Sequence, residues 1–136
     1  MPTSGHEQTG NTAPLRVLVI EDHADSLAAM ARLLSRIAKD VLTAESCKAA
    51  RAVAASADGP VDVVVGDIGL PDGDGLELLG ELKDAYGCGL IALTGHGMEK
   101  DLQRCRAAGV DFHLLKPVGV KELREAVWSF RDRARS

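Results

Sequence analysis

The chain has 136 residues, which suits a single domain with one hydrophobic core. Apolar residues make up 46% of it and the formal net charge is −4, a composition typical of a globular protein and unfavourable for direct binding to nucleic acid. No apolar run approaches the length of a membrane span, no basic-then-apolar leader is visible, and the three cysteines lack metal-binding spacing, so we expect no membrane partner and a cytoplasmic location.

The first part of the chain predicts a tail, a strand and a helix. Residues 1–14 are polar and predict a disordered tail, which leaves residues 15–136 for the folded domain. The segment 16–20 is apolar on both faces, as a strand of a helix-covered parallel sheet must be. Apolar residues then recur at helical spacing over about 24–38 and predict the first helix.

Four more strand–helix pairs follow the first. The strands are predicted at 41–44, 61–67, 90–94 and 112–115, and the helices at 46–57, 76–86, 98–108 and 120–133. Short strands that alternate with helices of this length predict an α/β fold, in which a doubly wound parallel five-stranded sheet carries helices on both faces.

Polar residues stand where the predicted strands end. Glu21 and Asp22 follow the first strand, Asp67 ends the third, Thr94 the fourth, and Lys116 follows the fifth. Because the carboxyl ends of parallel strands open into one crevice, we expect these five side chains to face one another. An acid at such a position can also cap a turn or a helix, but capping does not require two adjacent acids.

Three carboxylates in one crevice repel one another. A like-charged pair at about 4 Å costs roughly 1 kcal/mol in water and about 4 kcal/mol at an effective dielectric constant of 20. Protonation of one acid or a bound cation removes this cost. Oxygen ligands suit Mg²⁺, and a nearby lysine and threonine suit the oxygens of a phosphoryl group. The set therefore predicts a carboxylate nucleophile that receives a phosphoryl group beside a metal ion.

Taken in order, these residues resemble the receiver domain of two-component response regulators. The resemblance covers about 15–133 and depends on four pieces, which are Glu21-Asp22, the segment 67–75, Ala92-Leu93-Thr94-Gly95 and Lys116-Pro117. It implies a flavodoxin-like sheet with strand order 2-1-3-4-5. It also implies transfer of a phosphoryl group to Asp67 from the phosphohistidine of a sensor histidine kinase or a histidine phosphotransfer protein.

The resemblance assigns the metal and its ligands. Mg²⁺, or Mn²⁺ in its place, would be held by Glu21, Asp22, Asp67 and the backbone carbonyl of Gly69. Lys116 would pair with the phosphoryl group or with the free carboxylate.

The resemblance also assigns a switch. Thr94 would bond a phosphoryl oxygen and draw its loop inward, and a cis peptide bond before Pro117 would aim the lysine. His113 stands where the family usually has tyrosine or phenylalanine, and it would move with Thr94 or, alternatively, be a partly exposed strand residue without a switching role.

Other departures from the family pattern concern lifetime and partners. Two positions that tune phosphoryl lifetime carry Gly69 and His96, which offer no acid or amide to orient water, so we expect a long-lived phosphoryl group.

Trp128 lies off the apolar stripe of the last helix and is predicted either to anchor a partner beside His113 or to pack at a sheet edge. Gly66 leaves a small gap before Asp67, for which the sequence suggests no function.

We expect a stand-alone receiver that is not a conventional enzyme, since it would catalyse only its own phosphorylation and dephosphorylation. It would act through a downstream protein target, and a homodimer is left open. A receiver module of a hybrid histidine kinase is the alternative within the family. A flavodoxin-like flavin binder is disfavoured because Glu21 and Asp22 would repel a phosphate. A nonphosphorylated interaction module is disfavoured by the complete acid, threonine and lysine set.

Overall fold

The computed structural model describes residues 13–95 and 101–131. The described strands are β1 (Ala13–Ile20), β2 (Ala38–Ala44), β3 (Val63–Asp67), β4 (Gly69–Leu70), β5 (Gly73–Asp74), β6 (Gly89–Thr94) and β7 (Phe112–Leu115). The described helices are α1 (Ala24–Leu34), α2 (Cys47–Ser56), α3 (Gly75–Tyr86), α4 (Asp101–Ala108) and α5 (Val120–Trp128). Within these segments no helix has the length and apolar character that a bilayer crossing requires.

Five strands form one parallel sheet in the order β2-β1-β3-β6-β7. Strands β4 and β5 are two-residue segments that pair with each other in an antiparallel turn after β3. When only the strands of the main sheet are numbered, its order is 2-1-3-4-5. The predicted α/β fold, with its doubly wound parallel sheet, is therefore confirmed.

The sheet is covered on both faces, and its strands divide their side chains between two cores. In β1, Leu18 and Ile20 pack with residues of α2 and α3, whereas Val17 and Val19 pack with residues of α1 and α5. Because alternate side chains of a strand point to opposite faces, both sets can be apolar only if both faces are buried. This explains the continuous apolar runs that the sequence shows in β1, β3 and β6.

Several element boundaries differ from the sequence prediction. Helix α1 ends at Leu34 rather than at 38, and β2 begins at Ala38 rather than at 41. No glycine or proline marks this end in the sequence, and the burial of Ile37 and Ala38 against the core of α1 and α5 favours the extended strand. Strand β1 begins at Ala13, which pairs with Ala38, so it starts earlier than predicted.

The predicted boundaries at Ser46 and Gly87 are confirmed, whereas the predicted end of the last helix is not. Ser46 accepts a hydrogen bond from the amide of Ala49 and caps α2 as its sequence position indicates. Gly87 ends α3 with φ of 64°. Helix α5 ends at Trp128, short of the predicted 133. Residues 1–12 of the predicted tail, residues 98–100 of the fourth predicted helix and residues 132–133 of the last one lie outside the described residues.

The loop after β3 is held by two aspartates. Asp72 accepts hydrogen bonds from the amides of Cys47 and Lys48 at 2.8 and 3.0 Å, so it caps α2 from across the fold, and these bonds lower its pKa. Asp74 caps α3 through the amide of Leu76, and its other oxygen pairs with Arg104 of α4. The sequence pattern indicated only a turn here, because a cap supplied by a distant loop has no local signature.

Gly75 is the point where α3 approaches the end of β3. A Cβ atom there would lie 2.5 Å from the carbonyl oxygen of Asp67 and 2.5 Å from Cα of Ile68, and neither backbone atom can move aside. Gly75→Ala should therefore lower the free energy of unfolding by about 1–3 kcal/mol, as overpacking does. Urea unfolding of the variant and the parent protein measures the change.

Gly80→Ala is the matched control in the same helix. A Cβ at Gly80 meets no atom nearer than 3.9 Å, so the alanine should raise the free energy of unfolding by about 0.5–1 kcal/mol through its better helix propensity. Equal shifts for the two variants would contradict the close approach at Gly75.

Candidate functional site

Three charged side chains from three strand ends meet at the carboxyl edge of the sheet. The ammonium of Lys116 donates hydrogen bonds to Glu21 Oε1 at 2.9 Å and to Asp67 Oδ2 at 2.8 Å. Glu21 has no exposed surface and Asp67 is 7% exposed, so both acids are buried with the lysine between them. The sequence placed these residues at one edge, and the structure brings them into direct contact.

The two acids fix the charge of Lys116. Burial alone would lower the pKa of its ammonium, but the hydrogen bonds to Asp67 and Glu21 and their negative charges outweigh burial, so the pKa is raised. The folded state thus holds this proton more tightly than the unfolded chain. The resulting stabilisation is complete below a pH of about 10.4 and is lost as the pH rises through the raised pKa. The ammonium of Lys116 is therefore charged at neutral pH.

The second carboxylate oxygen of Asp67 has its own donor. Oδ1 accepts a hydrogen bond from the amide of Gly69 at 2.9 Å. A Cβ at Gly69 would lie 3.6 Å from the same oxygen, so the glycine leaves the approach to Asp67 clear of a side chain. Asp67 is thereby held in one orientation by a backbone amide on one oxygen and an ammonium on the other.

The surroundings of the Asp22 carboxylate indicate that the site suits a cation. Its Oδ1 atom is buried and accepts no hydrogen bond within the described residues. A buried, charged oxygen without a donor is costly, and a divalent cation removes that cost. Ligand atoms of Glu21, Asp22 and His23 lie within 4.8 Å of one another. The residues present therefore fit a divalent metal ion.

Thr94 and His113 lie on the neighbouring strands β6 and β7. Thr94 Oγ1 and His113 Nε2 are 2.6 Å apart and hydrogen bonded, and the backbone carbonyl of Thr94 accepts a bond from the amide of Lys116 at 2.7 Å. The threonine is buried and the histidine exposed. The peptide bond between Lys116 and Pro117 is cis, as predicted.

The other predicted residues lie away from this contact network. Trp128 is half-buried beside a cavity of about 420 Å³ that is lined by Arg36, Ile37, Arg124 and Glu125, and His113 is not among those lining residues. Arg36 and Ile37 belong to the turn after α1, so this flank of α5 lies beside that turn, and the partner-binding role of Trp128 stays a prediction. His96 lies outside the described residues.

The gap beside Gly66 is filled by Leu79. The terminal Cδ2 atom of Leu79 lies 3.0 Å from where a Cβ of Gly66 would be, so α3 packs directly against the backbone of β3 just before Asp67. This packing is a structural reason for the glycine, which the sequence alone did not provide.

A comparison with family models finds a match to the response regulator receiver domain over residues 17–128. Among curated proteins, the chain is 37% identical over 119 residues to the virulence sensor protein BvgS of Bordetella pertussis, which covers 82% of this chain and 10% of that protein. It is 36% identical over 106 residues to the transcriptional regulatory protein KdpE of Mycobacterium tuberculosis, covering 78% of this chain and 46% of that protein. The chain thus spans less than half of either relative.

Solved structures show the same likeness. The chain superposes on a response regulator receiver domain protein from Clostridium thermocellum with a TM-score of 0.80 and 28% sequence identity, covering 89% of this chain and 97% of that one. The likeness therefore extends over nearly the whole of a receiver domain.

Lys116→Met tests the charge balance of the site. The variant leaves Glu21 buried without its counter-charge, which costs 3–5 kcal/mol for a fully buried pair; because Lys116 is 30% exposed, we expect a loss of about 2–3 kcal/mol in the free energy of unfolding. Added MgCl₂ should restore part of the loss, since a cation can replace the ammonium. Urea unfolding with and without MgCl₂ measures both effects.

Lys83→Met is the control for this experiment. Lys83 is 33% exposed and donates to the carbonyl of Gly109 at 2.8 Å, so it matches Lys116 in exposure but lies beside no buried acid. Its loss should be smaller and independent of MgCl₂. A loss for Lys116→Met no greater than that for Lys83→Met would contradict the charge-balance argument.

Proposed function

The chain belongs to the response regulator receiver domain family, and from that premise we propose that Asp67 accepts a phosphoryl group from a phosphohistidine. One observation carries the proposal. Asp67 ends a buried strand with one carboxylate oxygen on the Lys116 ammonium and the other on the Gly69 amide. A carboxylate held in this way is a positioned nucleophile beside a cation that matches the charge of a transferring phosphoryl group.

The proposed step is in-line transfer. As an oxygen of Asp67 bonds to phosphorus, the phosphorus–nitrogen bond of the donor breaks. Lys116 stabilises the charge on the phosphoryl oxygens, and Thr94 offers a hydroxyl once it is released from His113.

Four groups would hold Mg²⁺ or Mn²⁺. They are the carboxylates of Glu21, Asp22 and Asp67 and the backbone carbonyl of Gly69. When bound, the ion supplies positive charge to the phosphoryl oxygens. The buried, unbonded oxygen of Asp22 supports this assignment.

We propose a signalling role in the cytoplasm, with no catalysis beyond the chain's own phosphorylation and dephosphorylation. The donor would be a sensor histidine kinase or a histidine phosphotransfer protein, and the output a contact with a protein target or a second copy of the chain. The negative net charge supports a protein partner rather than nucleic acid. Phe112, Leu115 and Val120 are large apolar residues with exposed surface on β7 and at the start of α5, and they support a docking face there.

A second candidate is a receiver module within a larger sensor protein. The 37% identity to the sensor protein BvgS favours it, whereas the similarity to the regulator KdpE favours a response regulator. Both candidates place the phosphoryl group on Asp67. They differ in whether the donor histidine belongs to the same polypeptide.

Incubation with a small phosphodonor and MgCl₂ tests the acceptor. The parent protein should gain one phosphoryl mass by intact mass spectrometry, and Asp67→Asn should gain none, because an amide is not a nucleophile of this kind. Chelation of the metal with EDTA should reduce the gain. Asp84→Asn, which alters an exposed acid of α3, should behave as the parent protein does. Phosphorylation of Asp67→Asn would place the acceptor elsewhere and overturn the proposal.

The phosphoryl group should be long-lived, since Gly69 places no side chain beside Asp67 to orient a water molecule. After removal of the donor, we expect the label to persist for minutes rather than seconds. Gly69→Asn should shorten the lifetime about tenfold or more, because its Cβ would lie 3.6 Å from Asp67 Oδ1 and the amide that it carries can orient the attacking water. Gly80→Asn, the same change within α3, should leave the lifetime unchanged. Loss of label from the parent protein within seconds would refute this expectation.

A further inference from the structure

His23 directs its ring toward the acidic pair. Its Nδ1 atom lies 3.2 Å from Glu21 Oε2 and 3.4 Å from Asp22 Oδ1. The two oxygens of Glu21 have different partners, because Oε1 accepts a hydrogen bond from Lys116 and Oε2 is hydrogen bonded to the backbone amide and the ring Nδ1 of His23. One nitrogen and two carboxylate oxygens therefore lie within 4.8 Å of one another just after β1.

These separations are those of ligands around a metal ion. Donors about 2.0–2.1 Å from a metal are roughly 2.9–3.0 Å apart at octahedral angles and roughly 3.4 Å apart at tetrahedral angles. The two measured separations, 3.2 and 3.4 Å, fall at this spacing.

The acidic pair itself holds the ring of His23, because Nδ1 is hydrogen bonded to Glu21 Oε2. His23 is the N-cap residue of α1, but its side chain makes no capping hydrogen bond. The side chain is 72% exposed, so packing does not hold it in place. Asp22 Oδ1 accepts no hydrogen bond from the described residues, although the ring nitrogen is 3.4 Å away. A cation shared by the three groups would satisfy that oxygen.

We infer that His23 is a nitrogen ligand of the metal site and makes it selective for borderline transition-metal ions. Mg²⁺ is suited by oxygen ligands, whereas an imidazole favours ions such as Co²⁺, Ni²⁺ and Zn²⁺. The inference rests on the proposed function in one respect, since Glu21 and Asp22 are ligands both of the Mg²⁺ proposed there and of the transition-metal ion proposed here. Its consequence is that His23 raises the affinity of the site for Co²⁺ much more than its affinity for Mg²⁺.

Titration of the metal-free, untagged full chain with CoCl₂ tests the inference. Calorimetry gives the affinity, and the visible absorption of Co²⁺ reports its ligands. His23→Gln should weaken Co²⁺ binding at least tenfold while changing Mg²⁺ affinity much less. His113→Gln removes an imidazole from β7 and should keep the parent affinity for Co²⁺. The three cysteines are buried and should not compete.

A second measurement identifies the nitrogen. Long-range ¹H–¹⁵N correlation spectra of the parent protein with ZnCl₂ should show Nδ1 of His23 shifted as a metal-bound nitrogen. The inference is overturned if His23→Gln binds Co²⁺ as tightly as the parent protein, or if His113→Gln weakens binding equally.

The outcome of the phosphodonor experiment is independent of the outcome of the Co²⁺ titration. Absence of a phosphoryl gain at Asp67 together with a Co²⁺ affinity that depends on His23 would refute the proposed function and support this inference. Phosphorylation of Asp67 together with an unchanged Co²⁺ affinity of His23→Gln would support the proposed function and refute this inference.

Discussion

The ammonium of Lys116 lies between two buried carboxylates, and both the fold and the site depend on it. A carboxylate as deeply buried as Glu21 is tolerated only with a counter-charge and hydrogen bonds. Lys116 supplies both to Glu21 and to Asp67, although they are 95 and 49 residues away along the chain. The bridge therefore joins the ends of β1, β3 and β7. Because these strand ends carry the site residues, folding of the sheet also assembles the site.

The same interaction would prepare Asp67 for the proposed phosphoryl transfer. Its oxygens are already held by an ammonium and a backbone amide, so little reorganisation is needed when negative charge is added beside them. The ammonium of Lys116 relieves part of the repulsion expected among the three acids. Among the described residues Asp22 Oδ1 has no hydrogen-bond donor, and a divalent cation would satisfy this oxygen.

Sequence periodicity predicted the sheet well because both faces are covered, so the central strands β1, β3 and β6 had to be continuous apolar runs. The predicted strand ends followed from those runs. In a parallel sheet these ends share one edge, so the meeting of Glu21, Asp67 and Lys116 could also be predicted. Features that depend on distant packing were not predictable. Asp72 caps a helix from another loop, and Trp128 lies beside Arg36 and Ile37, which are far from it along the chain. Neither relation leaves a periodic signal in the local sequence.

The pairing of Thr94 with His113 gives the proposed switch a property that a phenylalanine at 113 would lack. A hydroxyl has one proton, and a neutral imidazole nitrogen can either accept it or donate its own. If Nε2 accepts, the proton of Thr94 is committed and a phosphoryl oxygen must displace His113 to receive it. Such an exchange is worth about 0.5–1.5 kcal/mol, or roughly 2- to 12-fold in an equilibrium. Because β7 also carries Phe112 and Leu115, that bond links the acceptor site to the apolar face proposed for docking.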